Sequence, residues 1–472
     1  MNALNRTRAE ALPDLRALAQ TGTVHFVGIC GAGMSALAEM ILHGGGKVTG
    51  CDTVLTATAT RLRELGAEIW EGHDPAHVEN AAAVVTTAAV GSESPELTAA
   101  RALKIPVVKR ANALGSIVNN GTVIAIAGTH GKTTTTAMTA EILDAAALSP
   151  TAFVGGHVAS WNGGLRLGAT DLFVVEADEY DRSFLTLRPT VAVVTTMEAD
   201  HLDIYGSLEG VREAFDSFLA LVPRDGLVAL CSDDEGARTL ARKHAAPVVT
   251  YAIDDKKARF RATKIEVRGR GSRFVVTDRG EECGEVNLGV PGLHNIRNAL
   301  GAMVAALHVD ATFEAVQKGL GRFDGVGRRF QELGRVGGIT VIDDYAHHPT
   351  EITATIAAAR GAFEGHRLIA IFQPHLYSRT RDFANEFGKA LNAADAAWVT
   401  SIYAAREQPI AGVTSDLITK SAPKIRNYEG DLAELAQTIR PSLKSGDVCL
   451  FMGAGNIDEA ARALLAQLKG ER

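Results

Sequence analysis

A β-branched apolar run, Val123 to Ala127, breaks at Gly128 and gives way after Lys132 to a helix-forming stretch; Ile124 to Met138 reads IAIAGTHGKTTTTAM. Few local folds accommodate this order. A strand must deliver the chain to a glycine turn, and a helix must start at that turn with its free N–H groups exposed to whatever sits above it. Glycines let those groups close around a triphosphate, Lys132 adds a cation, and the Thr133 hydroxyl can reach Mg²⁺. The loop Gly128-x-x-Gly131-Lys132-Thr133 is two residues shorter than the usual phosphate loop, which needs glycine where this chain has Ile126. As a phosphate-site residue rather than a core one, Lys132 is expected to be replaceable without loss of the fold.

The same strand–turn–helix opening occurs twice more. In the first, Val24–Ile29 runs into Gly28-x-x-Gly31-x-Gly33, a helix continues to about His43, and a second strand, Lys47–Cys51, ends at Asp52. An acid at that place can bind a ribose hydroxyl, as in a dinucleotide fold, although Cys30 stands where the full fingerprint needs glycine. Strands near Ala83–Thr87 and Pro106–Lys109 complete a first unit that ends near residue 118. In the third, Gly337-Gly338 leads into Ile339–Ile342, with Asp343-Asp344-Tyr345 at the strand end, then His347-His348-Pro349 and a helix from about Thr350. Strands Leu368–Phe372, tipped by Gln373-Pro374-His375, Ala397–Thr400 and Val448–Met452 follow. The expected fold is therefore α/β with three domains: a Rossmann-like domain over 1–118, a phosphate-loop domain with a parallel-rich sheet over 119–327, and a second Rossmann-like domain over 328–472. A chain of 472 residues is long enough for about three cores.

In a parallel sheet, ligands bind beyond the carboxyl ends of the strands. Two short strands after the phosphate loop, Asp171–Val175 and Val191–Thr196, deliver Glu176 and the group Glu198, Asp200, His201 and Asp203 there. Thr133, Glu176 and His201 are thus candidate Mg²⁺ ligands. The adjacent pair His347-His348 lacks zinc spacing, and the five cysteines include no C-x-x-C pair, so no thiolate zinc site and no structural disulfide is expected. A formal charge of −7 gives no case for nucleic acid. Arg6, Arg8, Glu10, Asp14 and Arg16 interrupt any apolar leader, and no segment approaches the roughly 20 apolar residues of a membrane span. A cytoplasmic protein without membrane insertion is expected.

Matching segments run nearly end to end: Gly28-Ile29-Cys30-Gly31-Ala32-Gly33-Met34-Ser35, Gly128-Thr129-His130-Gly131-Lys132-Thr133-Thr134, Glu176-Ala177-Asp178-Glu179, Glu198-Ala199-Asp200-His201, Gly292-Leu293-His294-Asn295-Ile296-Arg297-Asn298, Gly327-Arg328-Arg329-Phe330, Asp343 to Pro349 and Phe372-Gln373-Pro374-His375. In these the chain resembles the Mur ligase family, and the N-terminal and D-D-Y-x-H-H-P segments point to its alanine-adding branch. The resemblance implies an ATP- and Mg²⁺-dependent ligase that joins L-alanine to the carboxylate of UDP-N-acetylmuramate through an acyl phosphate. It implies ATP at Gly128, Thr129, His130, Gly131, Lys132, Thr133 and Thr134. It further implies adenine near His294, Asn295 and Asn298, and ribose and phosphate near Arg329 and Asp344. It assigns Gly31, Ser35, Asp52, His73 and Arg110 to the UDP-sugar, and Tyr345, His348, His375 and Arg379 to the amino acid, with His348 or His375 taking its proton. Lys132, His201, His348 and Arg379 are the catalytic candidates. Leu376 stands where the alanine-adding branch often carries arginine.

Three other readings share parts of this pattern: a sister ligase attaching a tripeptide to the same nucleotide sugar, a folylpolyglutamate-type ligase, and an NAD-dependent oxidoreductase built on the residue 24–52 turn. The glycine-bearing segment from Phe323 to Arg329 is expected to act as a hinge. A monomer or a homodimer is compatible with the sequence.

Overall fold

The computed structural model describes residues 13–470, apart from Ala88, Arg242, Lys243, Arg406, Ser421 and Pro423. Arg6, Arg8 and Glu10 of the charged N-terminal stretch lie outside the described residues. The chain forms two compact units. One runs to Tyr251 and takes back Gly301–Thr312; the other comprises Ala252–Leu300 and the chain from Phe313 onward.

The first unit holds two parallel-rich sheets. In the N-terminal sheet the strands run Glu68–Glu71, Lys47–Asp52, Thr23–Val27, Ala81–Thr86, Val107–Lys109, all parallel. Each strand turns its β-branched and apolar residues to helices on either face, so the buried run Val24, Phe26 and Val27 reads as nearly continuous. The order reverses between Thr23–Val27 and Ala81–Thr86, which opens a crevice above the glycine turn at Gly28. The other sheet is centred on Thr122–Ala127, flanked by Val191–Val194 on one side and Leu172–Glu176 on the other. Leu227–Cys231 and Val248–Ala252 extend it one way, Thr151–Val158 and the antiparallel Gly163–Arg166 the other. Ile126 pairs in register with Glu176, and Ala127 with Val194. The phosphate loop therefore leaves the sheet with the ends of both neighbouring strands beside it.

The second unit contains a meander of three antiparallel strands, Phe260–Arg268, Gly271–Asp278 and Glu281–Leu288, which the sequence analysis did not anticipate. Its turns carry positive-φ backbone at Gly269 and at Arg279-Gly280, and these turn residues were the available signal. The other sheet of this unit runs Gln331–Val336, Ile339–Asp344, Val448–Met452, Leu368–Phe372, Ala396–Thr400, Ile425–Tyr428, parallel except at the first strand. The segment expected as a hinge lies inside this unit. Phe323 and Val326 are buried, the Arg328 carbonyl accepts from Tyr345 N at 2.6 Å, and the Arg328 guanidinium donates to Gly453 O. The chain leaves one unit for the other elsewhere, at Tyr251/Ala252, Leu300/Gly301 and Thr312/Phe313.

Asp343 occupies a fully buried position on the strand Ile339–Asp344. Neither carboxylate oxygen has a hydrogen bond, and Arg328 Nε is 3.5 Å away. Burial pushes this carboxyl up to about 6, against the pull of Arg328. A carboxyl raised in the folded state costs stability where it must ionise, so the penalty is absent below the unfolded value and full above the folded one. Asp343→Asn should raise the melting temperature of the protein at pH 8, reflecting on the order of 1–3 kcal/mol, and by roughly half as much at pH 5. Equal gains at the two pH values, or a loss at pH 8, would contradict this.

Candidate active site

The phosphate loop has the shape its sequence demands. Gly128 sits at φ +133° with its Cα packed on Thr195 and Thr196, where a Cβ would collide with Thr195 Oγ1. Gly131, at φ +83°, starts the helix Lys132–Ala145. His130 N donates to Thr196 Oγ1, 2.9 Å, and Thr129 Oγ1 accepts from Glu198 N, 2.9 Å, so the loop is stitched to the end of the neighbouring strand. The threonine run divides its work. Thr133 Oγ1 donates to Glu176 Oε1, 3.0 Å; Thr136 and Thr139 are buried and donate back to Lys132 O and Thr135 O in the helix.

Lys132 differs from its expected setting. Its ammonium donates to Gly128 O at 2.7 Å and Glu179 Oε1 at 3.0 Å, and lies 2.9 Å from Glu179 Oε2. Glu179 is buried, with its carboxyl pushed up by burial against the opposing pull of Lys132. Lys132 is held above its ordinary value; Glu179 leads the neighbouring carboxylates that outweigh its own burial. Lys132 thus carries a structural contact that its expected role as a phosphate-site cation does not include: it faces a buried acid. Glu179 was quoted in the E-A-D-E run but given no role; its spacing of three from Glu176, just beyond a strand, was the signal.

Glu176 is held at both oxygens, by Thr133 and by Gly155 N, 2.6 Å. An oxygen-only pair of hydroxyl and carboxylate at a helix N-terminus suits a hard divalent cation such as Mg²⁺. His201 does not share that contact. Held at φ +52° by the Asp200 side chain, it points Nε2 toward Glu179 Oε1, 4.0 Å, and Asp200 Oδ2, 3.8 Å, with Tyr180 edge-on to its ring.

A cavity of about 1010 Å³ runs through the first unit. Its lining includes Gly28, Cys30, Gly31, Gly33, Asp52, His73 and Arg110 from the N-terminal sheet, and Phe153, Gly155, Glu176 and Asp178 from the sheet of the phosphate loop. Gly33 packs closely on Arg110: a Cβ there would lie 3.0 Å from Arg110 Nη1. Arg110 in turn lies 3.9 Å from Asp178. Asp52 faces the cavity but spends Oδ2 on Cys30 N, 2.9 Å, which ties the glycine turn to the second strand. Ser35 is buried, donates to Ala32 O, and does not line the cavity. Phe153 and Asp178 were missed as cavity residues, because nothing local in the sequence distinguishes them from core and loop.

The remaining candidates belong to the second unit. Asn295 and Asn298 are buried and linked, Asn298 Nδ2 to Asn295 Oδ1 at 3.2 Å, and Asn295 Nδ2 donates to Pro291 O. Burial, with help from Arg297, holds His294 down at about 4, so its ring is neutral near pH 7. Asp344 accepts from Phe330 N and Ala346 N, and burial still raises it to about 6. Arg329 lies over the Tyr345 ring, 5.0 Å from its centroid. His348 is buried and serves as the N-cap of the helix Pro349–Ala362; its Nδ1 accepts from Thr350 N, and Glu351 closes the box on the backbone. That helix begins one residue before its expected start, with proline at its first position. His375 contacts Arg379 Nη1 at 3.3 Å and stacks on Tyr403. Leu376 caps the next helix at φ +73°, an uncommon conformation for a branched side chain.

Fold and site together define a nucleotide-dependent ligase architecture. The first Mur ligase family model, described as the catalytic domain, matches residues 23–122; the middle-domain model matches 126–306, and the glutamate ligase domain model matches 328–455. The chain belongs to the Mur ligase family. It is 45% identical over 460 residues to UDP-N-acetylmuramate–L-alanine ligase of Neisseria meningitidis serogroup B, covering 94% of this chain and 98% of that one. The crystal structure of UDP-N-acetylmuramate–alanine ligase from Thermotoga maritima superposes with a TM-score of 0.81 at 31% identity, over 95% of this chain and 99% of that one. A murein peptide ligase from Psychrobacter arcticus follows at a TM-score of 0.71 and 26% identity, over 95% and 98%.

Lys132→Met should destabilise the protein by about 3–5 kcal/mol by stranding Glu179, and Lys132→Met/Glu179→Gln should recover part of that loss while remaining inactive. Urea unfolding of both variants checks this; a single variant as stable as wild type would show that the pair carries no structural weight.

Proposed function

We propose that this protein is an ATP-dependent ligase that joins L-alanine to the carboxylate of UDP-N-acetylmuramate and releases ADP and phosphate, in the synthesis of the peptidoglycan precursor. The observation that carries the reading is the cavity joining the glycine turn, Asp52, His73 and Arg110 to Glu176. A nucleotide sugar anchored by Asp52, His73 and Arg110 shares this cavity with Glu176, which bonds Thr133 of the phosphate loop. The similarity to alanine ligases over nearly the whole chain supports it.

The chemistry must overcome repulsion between a carboxylate and a triphosphate. The N–H groups at the start of Lys132–Ala145, together with Lys132, meet the phosphates and offset their charge. Glu179 keeps Lys132 charged and aimed along the loop. Mg²⁺, held by Thr133 and Glu176 with His201 as the further ligand candidate, would supply charge neutralisation at the transferring phosphoryl. Attack of the carboxylate on the γ-phosphoryl gives an acyl phosphate, and the amine of alanine then displaces phosphate at the acyl carbon. His294, Asn295 and Asn298 are assigned to adenine, and Arg329 and Asp344 to ribose and phosphate. Tyr345, His375 and Arg379 are assigned to the amino acid. His348 accepts at Nδ1 from the helix it caps and His375 at Nδ1 from Arg379, and both are candidates for the base. We assign residues 1–118, 119–327 and 328–472 to nucleotide sugar, ATP and amino acid, and place the enzyme in the cytoplasm as a monomer or homodimer.

Phosphate release should require ATP, UDP-N-acetylmuramate, Mg²⁺ and L-alanine together. Release with a murein tripeptide but not with alanine would replace this reading by that of the sister ligase. Arg110→Ala should raise KM for the nucleotide sugar at least tenfold while leaving KM for ATP within about twofold, on the scale of a charge-assisted contact; the reverse pattern would refute the assignment of the cavity.

A further inference from the structure

Beneath the glycine turn of the N-terminal sheet lies a second group of metal-ligating side chains, of which the proposed reaction uses only His73, at the cavity wall. Cys51 ends the strand beside Thr23–Val27, and its carbonyl accepts from Gly28 N and Ile29 N. Around its thiol are His25 from the neighbouring strand, His73 and His77 from the loop and turn after Glu68–Glu71, and Glu96 from the first turn of Pro95–Ala102. The ligand atoms of Cys51, His73 and Glu96 all lie within 4.8 Å of one another, as do those of Cys51, His25 and His77.

The spacings are those of a coordination shell. Sγ of Cys51 is 3.6 Å from His73 Nδ1, 3.6 Å from His25 Nε2 and 3.2 Å from Glu96 Oε1. His73 Nδ1 is 3.0 Å, and His77 Nδ1 3.5 Å, from the same Glu96 oxygen. A tetrahedral zinc ion with ordinary Zn–S and Zn–N bonds separates sulfur and nitrogen by about 3.5 Å. The rings are also pre-aimed. Thr49 Oγ1 bonds His25 Nδ1 at 3.0 Å and leaves Nε2 toward the sulfur, Trp70 stacks on His77 with ring centroids 4.6 Å apart, and Asp74 N bonds Glu96 Oε1. Such outer contacts are what orient ligands in metal sites. Glu96 is fully buried; its Oε1 meets Cys51 Sγ, His73 Nδ1 and Asp74 N, and its Oε2 has no hydrogen-bond partner. The hydrogen bonds of the cluster therefore leave one buried carboxylate oxygen unmet, and a cation on this carboxylate supplies the missing partner.

We propose that Cys51, His73 and Glu96 form a zinc-binding site, with His25 and His77 packed against the sulfur. Binding displaces the thiol proton, so one proton leaves Cys51 for each ion taken up. The ion is structural: it clamps the end of the second strand to the loop after the third and to Pro95–Ala102. It also fixes His73, which lines the nucleotide-sugar cavity. The site stands apart from Thr133 and Glu176 and does not rest on the ligase reading.

The full-length protein, stripped with a chelator and titrated with Co²⁺ in excess Mg²⁺, should take up one Co²⁺ per chain with a thiolate-to-cobalt charge-transfer band. Cys51→Ser should lose the band, and Glu96→Gln should weaken uptake at least tenfold. Because a buried cysteine variant can fail to fold, X-ray absorption of the zinc-loaded wild type provides the independent reading. One sulfur at about 2.3 Å with nitrogen and oxygen neighbours at about 2.0–2.2 Å supports the site. A shell without sulfur, no uptake beyond the Mg²⁺-competed level, or a band that survives in folded Cys51→Ser overturns it.

Discussion

The buried pair Lys132–Glu179 is the interaction on which the phosphate loop depends. Lys132 also donates to the Gly128 carbonyl, so one ammonium holds the loop backbone and neutralises an acid that the fold has taken out of water. Separating a buried charge from its partner is among the most destabilising single changes a protein can suffer. The same arrangement keeps the lysine protonated and held at the start of the helix Lys132–Ala145, the place proposed for the phosphates. Structure and chemistry therefore draw on one contact, and neither can be altered without the other.

Around that contact the sheet supplies order. The strand Thr122–Ala127 sits between Leu172–Glu176 and Val191–Val194, so two strand ends beside the loop deliver carboxylate, amide and hydroxyl groups to one place. Thr133 reaches Glu176 from the helix, and Gly155 holds the other oxygen from the next strand. None of these residues is adjacent in sequence. The parallel topology makes them neighbours, since every strand ends on the same side.

Much of this was legible before any coordinates. Strand–glycine–helix order is a local signal, and it located part of each of the three parallel-rich sheets; Glu68–Glu71, Thr151–Val158, Leu227–Cys231, Val248–Ala252 and Ile425–Tyr428 left no such trace. The antiparallel meander from Phe260 to Leu288 was not read, because alternating strands of mixed polarity leave a weaker trace than a glycine loop. The strand-end position of Glu176, beside the loop that carries Thr133, was legible from motif and strand order. The role of Glu179 was not, since pairing with a lysine 47 positions earlier is a tertiary fact. His348 was read as a candidate base, but a histidine before proline also caps a helix, and the N–H groups of a helix start need such a partner. Cysteine spacing gives no hint of the site we propose at Cys51, because His73 and Glu96 reach it from separate elements.

The account's central claim is that the nucleotide-sugar carboxylate is activated by phosphoryl transfer before the amine attacks. Oxygen-18 placed in the carboxylate of UDP-N-acetylmuramate tests this most directly. If the carboxylate attacks the γ-phosphoryl and the amine then cleaves the acyl C–O bond, one labelled oxygen per turnover must appear in the released inorganic phosphate. Phosphate that carries no label, formed while the amide product accumulates, would contradict the mechanism.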